Sequence, residues 1–329
     1  MSDLVAGVRR LLFAARILNP VRDIRAGDKF GHYKVKKRLG EGTFGLVVLA
    51  KVRRRFVDDD GVVVEEGALV ALKLAKSRAQ AELRREAAAL RRLRSARLDD
   101  RSPRIIASGR AAHCDYIAME RVGMNLEQIC LQQPTGRLPL RDALLVGSRL
   151  LEALERLHEA GLVHRDLKPN NIAVAANDKS QIVLLDLGLA KEWRSSDGEV
   201  AAQFHRTSFC GNRIFAAPPA LRGEDQGLRE DLWSFLHVVV YLYRPLPWEG
   251  SPYKSPNAMA HKILNTSPDE LCCDLPDEIK EILMTQIAPL PWGKRPDYLA
   301  IYRLLRQAAE KSGPRPLDYD NYQFCWQQA

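Results

Sequence analysis

The chain has 329 residues, 46% of them hydrophobic and 28% charged, a balance typical of globular proteins that excludes disordered, fibrous and membrane-spanning classes. Lys and Arg number 50 against 41 Asp and Glu, a formal net charge of +9, which favours acidic or phosphorylated partners, with nucleic acid as the competing explanation. Six cysteines, Cys114, Cys130, Cys210, Cys272, Cys273 and Cys325, show no framework spacing and no CxxC pair; this argues against disulfides and structural zinc, and for an intracellular location, cytoplasmic and also open to the nucleus.

No apolar run reaches the roughly 18 to 20 residues that span a bilayer. Near the N-terminus Leu4, Val5, Val8, Leu11, Leu12, Ala15 and Leu18 recur at helical spacing, with Arg9, Arg10 and Arg16 among them. A mitochondrial presequence or membrane-surface helix has this pattern. A helix packed on the domain or a frayed leader fits better, because serine is scarce, and no targeting signal is assigned.

From Phe30 to Leu49 the pattern reads strand, glycine turn, strand, with Tyr33, Val35 and Leu39 before the glycines and Val47, Val48 and Leu49 after them. Asp58-Asp59-Asp60-Gly61 follows and is expected to be a solvated loop tip before the strand Ala68 to Leu74. Ala79 to Arg97 is rich in Ala, Leu, Glu and Arg and predicts the first long helix, its arginines facing water. A short strand over Asp115 to Glu120 leads to a segment where helical patterns dominate, notably Leu140 to Ala160 and Asp231 to Tyr243. The change near residue 121 predicts an α+β protein of two lobes.

Chemistry concentrates in five places along this order. In Gly40-Glu41-Gly42-Thr43-Phe44-Gly45, followed by Val47, glycines let backbone N–H groups approach a phosphate; a strand rather than a helix follows, which argues against a dinucleotide fold. Val70-Ala71-Leu72-Lys73 puts a Lys on an apolar strand, where an ammonium needs an anion. Glu86 on the next helix is favoured over its rival Glu82, because Leu83, Ala87 and Leu90 share its face.

His164-Arg165-Asp166-Leu167-Lys168-Pro169-Asn170-Asn171 is the most specific string. It matches the catalytic loop of phosphoryl-transfer enzymes, with Asp166 to take or orient a hydroxyl proton, Lys168 to offset charge on the moving phosphoryl, and Asn171 to hold Mg²⁺. His164 reads as a packed, hydrogen-bonded residue rather than a base. Downstream, the apolar strand Ile182 to Leu185 ends in Asp186-Leu187-Gly188, whose carboxylate suits the Mg²⁺ that bridges ATP phosphates.

Together these parts resemble a protein kinase of the casein kinase I group, its tau-tubulin kinase branch in particular, from about Gly31 to Lys311. The group-level strings are Asp186-Leu187-Gly188-Leu189-Ala190-Lys191, Cys210-Gly211-Asn212-Arg213-Ile214-Phe215-Ala216, Asp231-Leu232-Trp233-Ser234, Leu246-Pro247-Trp248 and Arg295-Pro296-Asp297-Tyr298. The resemblance implies an N-terminal extension over 1–29, an N-lobe of antiparallel strands with one main helix over 30–120, a hinge and larger, mainly α C-lobe over 121–311, and a tail over 312–329. It implies an ATP site of Leu39, Gly40, Gly42, Gly45, Val47, Ala71, Lys73, Glu86, Met119, Glu120 and Val122, with Met119 behind the adenine and backbone groups of Glu120 and Val122 on its edge. It also implies that Asp231 braces the catalytic loop, and that the enzyme is a monomeric Ser/Thr kinase using ATP and Mg²⁺ on protein substrates. Nucleic acid is not expected, since the positive charge is dispersed and no aromatic binding motif accompanies it.

The departures concern substrate choice. In the docking loop Asn212, Arg213 and Ile214 stand where the relatives carry Thr-x-Arg, so Ile214 cannot bind phosphate and acidic substrates are expected in place of phosphate-primed ones. Arg213 could compensate, and Asn212 could hydrogen-bond Asp166 or Lys168. Ala217-Pro218-Pro219 replaces Ala-Pro-Glu, which takes from Arg295 its usual partner. Ser195, Ser196, Thr207 and Ser208 lie where added phosphate could order the segment through Arg165 or Arg206, although most hydroxyls in such loops are merely solvated. A pseudokinase scaffold that holds ATP or a protein is the alternative, disfavoured because Lys73, Glu86, Asp166, Asn171 and Asp186 are all present.

Overall fold

A computed structural model describes Val21, Tyr253 and residues 24–76, 78–111, 114–195, 197–204, 206–250, 255–314, 317–319 and 322–327. The amphipathic N-terminal pattern and Ser196 lie outside the described residues. The chain forms two compact units, one running to Ser95 and including Pro103–Arg121, the other comprising Ala96–Ser102 and the chain from Val122 onward.

The first unit is built on an antiparallel sheet in the order β1 (Lys29–Phe30), β2 (Tyr33–Glu41), β3 (Gly45–Val52), β6 (Leu69–Ala75), β8 (Cys114–Met119), β7 (Ile105–Ala111). A separate small hairpin pairs β4 (Phe56–Val57) with β5 (Val63–Val64). At the sheet's outer part, Tyr33 and Val35 are buried while Lys34 and Lys36 face water, the period-two pattern of a strand with one dry face. Central β6 is buried from Val70 to Ala75, so Lys73 must carry its own counter-ion into the core.

Helix α1 (Gln80–Ser95) buries Leu83, Glu86, Ala87, Leu90 and Leu93, one helical stripe. It ends two residues short of the expected Arg97, which takes φ 57°, a left-handed conformation that cannot continue a helix.

The aspartate run departs from its expectation at Asp58. Asp58 is buried, and its Oδ1 accepts the N–H groups of Asp60 (3.0 Å) and Val62 (2.8 Å). Its Oδ2 accepts Arg104 Nη1 at 2.5 Å. Asp59 and Asp60 pair with Arg91 (2.9 Å) and Arg94 (2.6 Å). Asp59, Asp60 and Gly61 are exposed, as a solvated tip requires, but Asp58 folds inward and the run faces three arginines that lie far from it in sequence.

The second unit carries α2 (Leu126–Leu131), α3 (Leu140–Glu159), α4 (Pro218–Leu221), α5 (Leu228–Tyr243), α6 (Pro256–Asn265), α7 (Pro268–Leu271), α8 (Asp277–Glu281) and α9 (Tyr298–Lys311), with α3 packed against both α5 and α9. α5 starts three residues before the expected Asp231, because Glu230 Oε2 accepts the Gly227 N–H at 2.8 Å and closes the helix N-terminus. A three-stranded sheet orders β12 (Ile182–Leu184), β11 (Ile172–Ala175) and β9 (Val122–Asn125), and β10 (Leu162–Val163) pairs with β13 (Lys191–Glu192). Residues 322–327 also pack here: Phe324 and Trp326 are buried, and buried Asp142 of α3 accepts Tyr322 OH (2.5 Å) and Cys325 N–H (2.9 Å). Among the described residues no helix is long and apolar enough to cross a membrane.

Candidate active site

In the first unit, Gly42 N–H donates to Gly45 C=O at 2.9 Å and closes the turn between β2 and β3. The three glycines serve different ends. A Cβ on Gly40 or Gly42 would meet nothing within 4 Å, whereas one on Gly45 would lie 2.5 Å from the Leu74 carbonyl oxygen. Gly45 thus permits close strand approach, and Gly40 and Gly42 leave open space that suits a phosphate. Lys76 Nζ holds the turn by donating to Gly42 C=O at 2.7 Å.

Register sets Val47 opposite Lys73 and Ala71 opposite Met119, so these residues of the expected ATP site share adjoining strands. Leu39, on β2, is an exposed apolar side chain. Lys73 Nζ donates to Glu86 Oε2 at 2.5 Å, and both residues are buried. Glu86, rather than Glu82, is therefore the residue that meets Lys73. Glu120 follows β8, its N–H donating to Arg104 C=O at 2.9 Å, and its carboxylate accepts Arg104 Nε at 2.8 Å.

In the second unit, Val122 begins β9, and the catalytic-loop residues follow β10. Lys168 Nζ donates to Asp166 Oδ2 at 2.6 Å, and Asn171 Nδ2 donates to the same oxygen at 3.0 Å and to the Asp166 backbone carbonyl at 2.9 Å. The other carboxylate oxygen, Oδ1, is buried and has no partner among the described residues. His164 is fully buried. Its Nε2 bonds Leu185 C=O at 3.0 Å and its Nδ1 accepts Asp166 N–H at 3.3 Å, which fixes the ring's orientation and gives it a structural task.

Asp231 organises the loop from below. One oxygen accepts His164 N–H (2.6 Å) and bonds His158 Nε2 (3.0 Å), and the other accepts Arg165 N–H (2.9 Å). Burial raises its pKa, but the His158 hydrogen bond and charge and the His164 contacts outweigh burial and hold it below the ordinary value. Arg165 in turn donates from Nε to Leu189 C=O at 2.8 Å, tying down the segment after Asp186.

Leu185 N–H donates to Asn171 C=O at 2.8 Å, so Asp186, the next residue, emerges beside Asn171. Asp186 takes φ 59°, the left-handed region that a non-glycine residue enters only when its surroundings hold it there. Among the described residues no group of three or more His, Cys, Asp or Glu could hold a metal by itself. Asn171 and Asp186 nonetheless fit Mg²⁺, which keeps several waters and takes phosphate oxygens beside one or two protein donors.

The docking loop differs from expectation. Asn212 Oδ1 accepts Ile214 N–H at 2.8 Å and does not bond Asp166 or Lys168, because a local turn is the shorter reach for its side chain. Gly211, at φ 99°, passes so close that a Cβ would lie 2.3 Å from the Arg165 carbonyl oxygen. Trp248 Nε1 donates to Ile214 C=O at 2.8 Å, and exposed Arg213 lies over the Phe209 ring at 4.8 Å. Arg295, expected to lack its usual partner, takes Glu155 (3.0 Å) and Glu159 (2.9 Å). Among the hydroxyls in this segment, Thr207 donates to Glu224 C=O at 3.2 Å and Ser195 accepts Glu199 N–H at 3.2 Å.

Sequence reasoning missed Lys191, whose Nζ bonds both carboxylate oxygens of Asp225 at 2.7 and 2.6 Å, and the Arg104 bridge between Asp58 and Glu120. No local spacing signals either pair, since the partners are distant in sequence.

A family model described as a protein kinase domain matches residues 33–288. The chain is 29% identical to a probable serine/threonine-protein kinase of Dictyostelium discoideum, over 88% of this chain and 57% of that protein. It is 25% identical to casein kinase I homolog 2 of Schizosaccharomyces pombe, over 86% of this chain and 63% of the relative. It is 27% identical to a probable casein kinase I homolog of Encephalitozoon cuniculi, over 86% and 90%. The chain thus spans about three-fifths of the length of the first two of these relatives.

Proposed function

Since this chain belongs to the protein kinase domain family, we propose that it is an ATP-dependent serine/threonine kinase, a transferase that moves the γ-phosphate of ATP onto Ser or Thr of proteins. One observation carries the reading: Asp166 has one carboxylate oxygen fully engaged by Lys168 and Asn171, and its other oxygen buried with no partner among the described residues. A buried acceptor without a donor is costly unless a ligand supplies one, and a substrate hydroxyl supplies it here.

In this reading Oδ1 orients the hydroxyl and takes its proton, while Lys168, held 2.6 Å from Oδ2, offsets negative charge on the phosphoryl in transit. Lys73, positioned by Glu86, binds ATP phosphates, and the glycine turn covers them. Asn171 and Asp186 hold Mg²⁺, which when bound neutralises charge on the phosphate oxygens. The adenine rests against Ala71, Met119 and Val47, with the backbone of Glu120 and Val122 on its edge.

The finer reading is a casein kinase I-like enzyme of the tau-tubulin kinase branch, active as a monomer inside the cell. The names of two relatives support the group. Ile214 offers no charge to a phosphate, so we assign acidic rather than phosphate-primed substrates; exposed Arg213 beside it would take either anion.

The test is incubation of the purified chain with Mg²⁺-ATP and a degenerate Ser/Thr peptide library, beside Asp166→Asn. Phosphate incorporation should be lost in the variant, and acidic positions should be enriched near the acceptor. Equal incorporation by both proteins would sink the assignment. ATP binding without transfer by the wild type would replace it with a scaffold.

A further inference from the structure

The three consecutive aspartates each take a different arginine: two of these are on α1, the helix that carries Glu86, and the third, Arg104, lies just before β7 and is hydrogen-bonded to Glu120. Asp59 and Asp60 hold Arg91 and Arg94 on α1, the helix that brings Glu86 to Lys73. Asp58 holds Arg104, which also bonds Glu120 through Nε (2.8 Å) and through its carbonyl to the Glu120 N–H (2.9 Å).

We propose that the Asp58–Asp60 loop is a positioning element for nucleotide binding, an electrostatic clasp that sets α1 and the Glu120 backbone in register with β6. This rests on the function proposed above.

The loop is built for that task rather than merely charged. Asp58 makes the turn rigid: besides the two side-chain bonds, its own N–H donates to Val62 C=O at 2.9 Å and its C=O accepts Gly61 N–H at 3.1 Å. Gly61 supplies the left-handed φ of 80° that the turn needs. Asp58's side chain is fully buried, so its bond to Arg104 is sheltered from salt, whereas the Asp59 and Asp60 pairs are partly exposed and screened. Arg91 adds a bond to Ser108 Oγ of β7 at 2.8 Å, so the helix end, the hairpin and the sheet edge meet at one cluster.

The charge on the loop therefore acts at two places with different signatures. Loss at Asp58 frees Arg104 and loosens the Glu120 backbone, which affects ATP binding and leaves the peptide untouched. Loss at Asp59 and Asp60 loosens α1 and the Lys73–Glu86 pair, a ladder that weakens with ionic strength even in the wild type.

Steady-state kinetics and thermal unfolding on the full chain decide this, with Asp58→Asn, the double variant Asp59→Asn/Asp60→Asn, Asp59→Arg alone, and the charge swap Asp59→Arg with Arg91→Asp. Asp58→Asn should raise the KM for ATP about threefold or more with the peptide KM unchanged. The double variant should lose kcat/KM for ATP at low salt and converge on the wild type at high salt, and the swap should recover what Asp59→Arg alone loses. Unchanged ATP parameters in the variants, beside a wild type that does bind ATP, would overturn this inference alone. So would losses in kcat and both KM values that merely track a lower thermal midpoint. A wild type that binds no ATP overturns the proposed function and this inference with it.

Discussion

Arg165 stands at φ 65°, and its N–H donates to Asp231 Oδ1 at 2.9 Å. A non-glycine residue in that region costs about 1–3 kcal/mol and persists only where the surroundings hold it. Here the holder is a fully buried carboxylate on α5 that also takes the His164 N–H and His158 Nε2. An amide has one acceptor oxygen, so Asp231→Asn leaves at least one of these donors facing an NH₂ group. The variant should lose about 1–3 kcal/mol of stability in urea unfolding, and its phosphate transfer should fall about tenfold or more. Wild-type transfer would show that the strained loop does not depend on Asp231.

Lys73 and Glu86 form a buried ion pair, and removing one partner of such a pair typically costs about 3–5 kcal/mol, while replacing both with apolar residues is often neutral. Glu86→Gln should therefore be destabilised by a few kcal/mol. The double variant Lys73→Met/Glu86→Leu should regain much of that stability and still fail to use ATP. Urea midpoints and ATP titration separate the two effects; a double variant as unstable as the single one contradicts the argument.

His237 on α5 is fully buried, and burial pushes its pKa down to about 4, against a weak bond from Nδ1 to Phe215 C=O. The unfolded chain takes up this proton near the ordinary value and the folded chain does not, so the unfolded state binds more protons between about pH 4 and 6.5. Stability should fall as pH drops through that window, by up to about 1.4 kcal/mol per pH unit from this residue. His237→Phe should flatten that part of the profile in unfolding at a series of pH values. An unchanged slope assigns the acid sensitivity to other groups.

Gly211 and Gly42 should respond oppositely to alanine. At Gly211 a Cβ meets a backbone oxygen at 2.3 Å and φ is 99°, so neither neighbour nor backbone can yield cheaply. At Gly42 a Cβ meets nothing within 4 Å. Gly211→Ala should be destabilised by about 1–3 kcal/mol and should disturb peptide use. Gly42→Ala should unfold within about 0.5 kcal/mol of the wild type, with any loss confined to ATP. Equal effects in both assays would mean that the close approach at Gly211 is not needed.

The catalytic string His164 to Asn171 was legible because its chemistry is local: Asp166, Lys168 and Asn171 are near neighbours in the chain, and their spacing nearly dictates how they meet. The stripe on α1 was legible for the same reason, since periodicity alone puts Glu86 among Leu83, Ala87 and Leu90. Strand and helix ends were read to within a few residues, and the errors at Arg97 and Leu228 came from backbone conformation and a hydrogen bond that composition does not encode.

Tertiary structure decided the rest. Asp59 and Asp60 stay at the surface as their run suggests, but Asp58 is buried, and all three meet Arg91, Arg94 and Arg104 across more than thirty residues of chain. Asn212 chose Ile214 over Asp166, and Arg295 chose Glu155 and Glu159 in place of the partner its segment lacks. By itself the sequence determined which groups can do chemistry, since spacing within a loop or along a helix follows from bond geometry. Which charges neutralise one another was settled only by folding, because a carboxylate pairs with whichever cation the packed core places within reach.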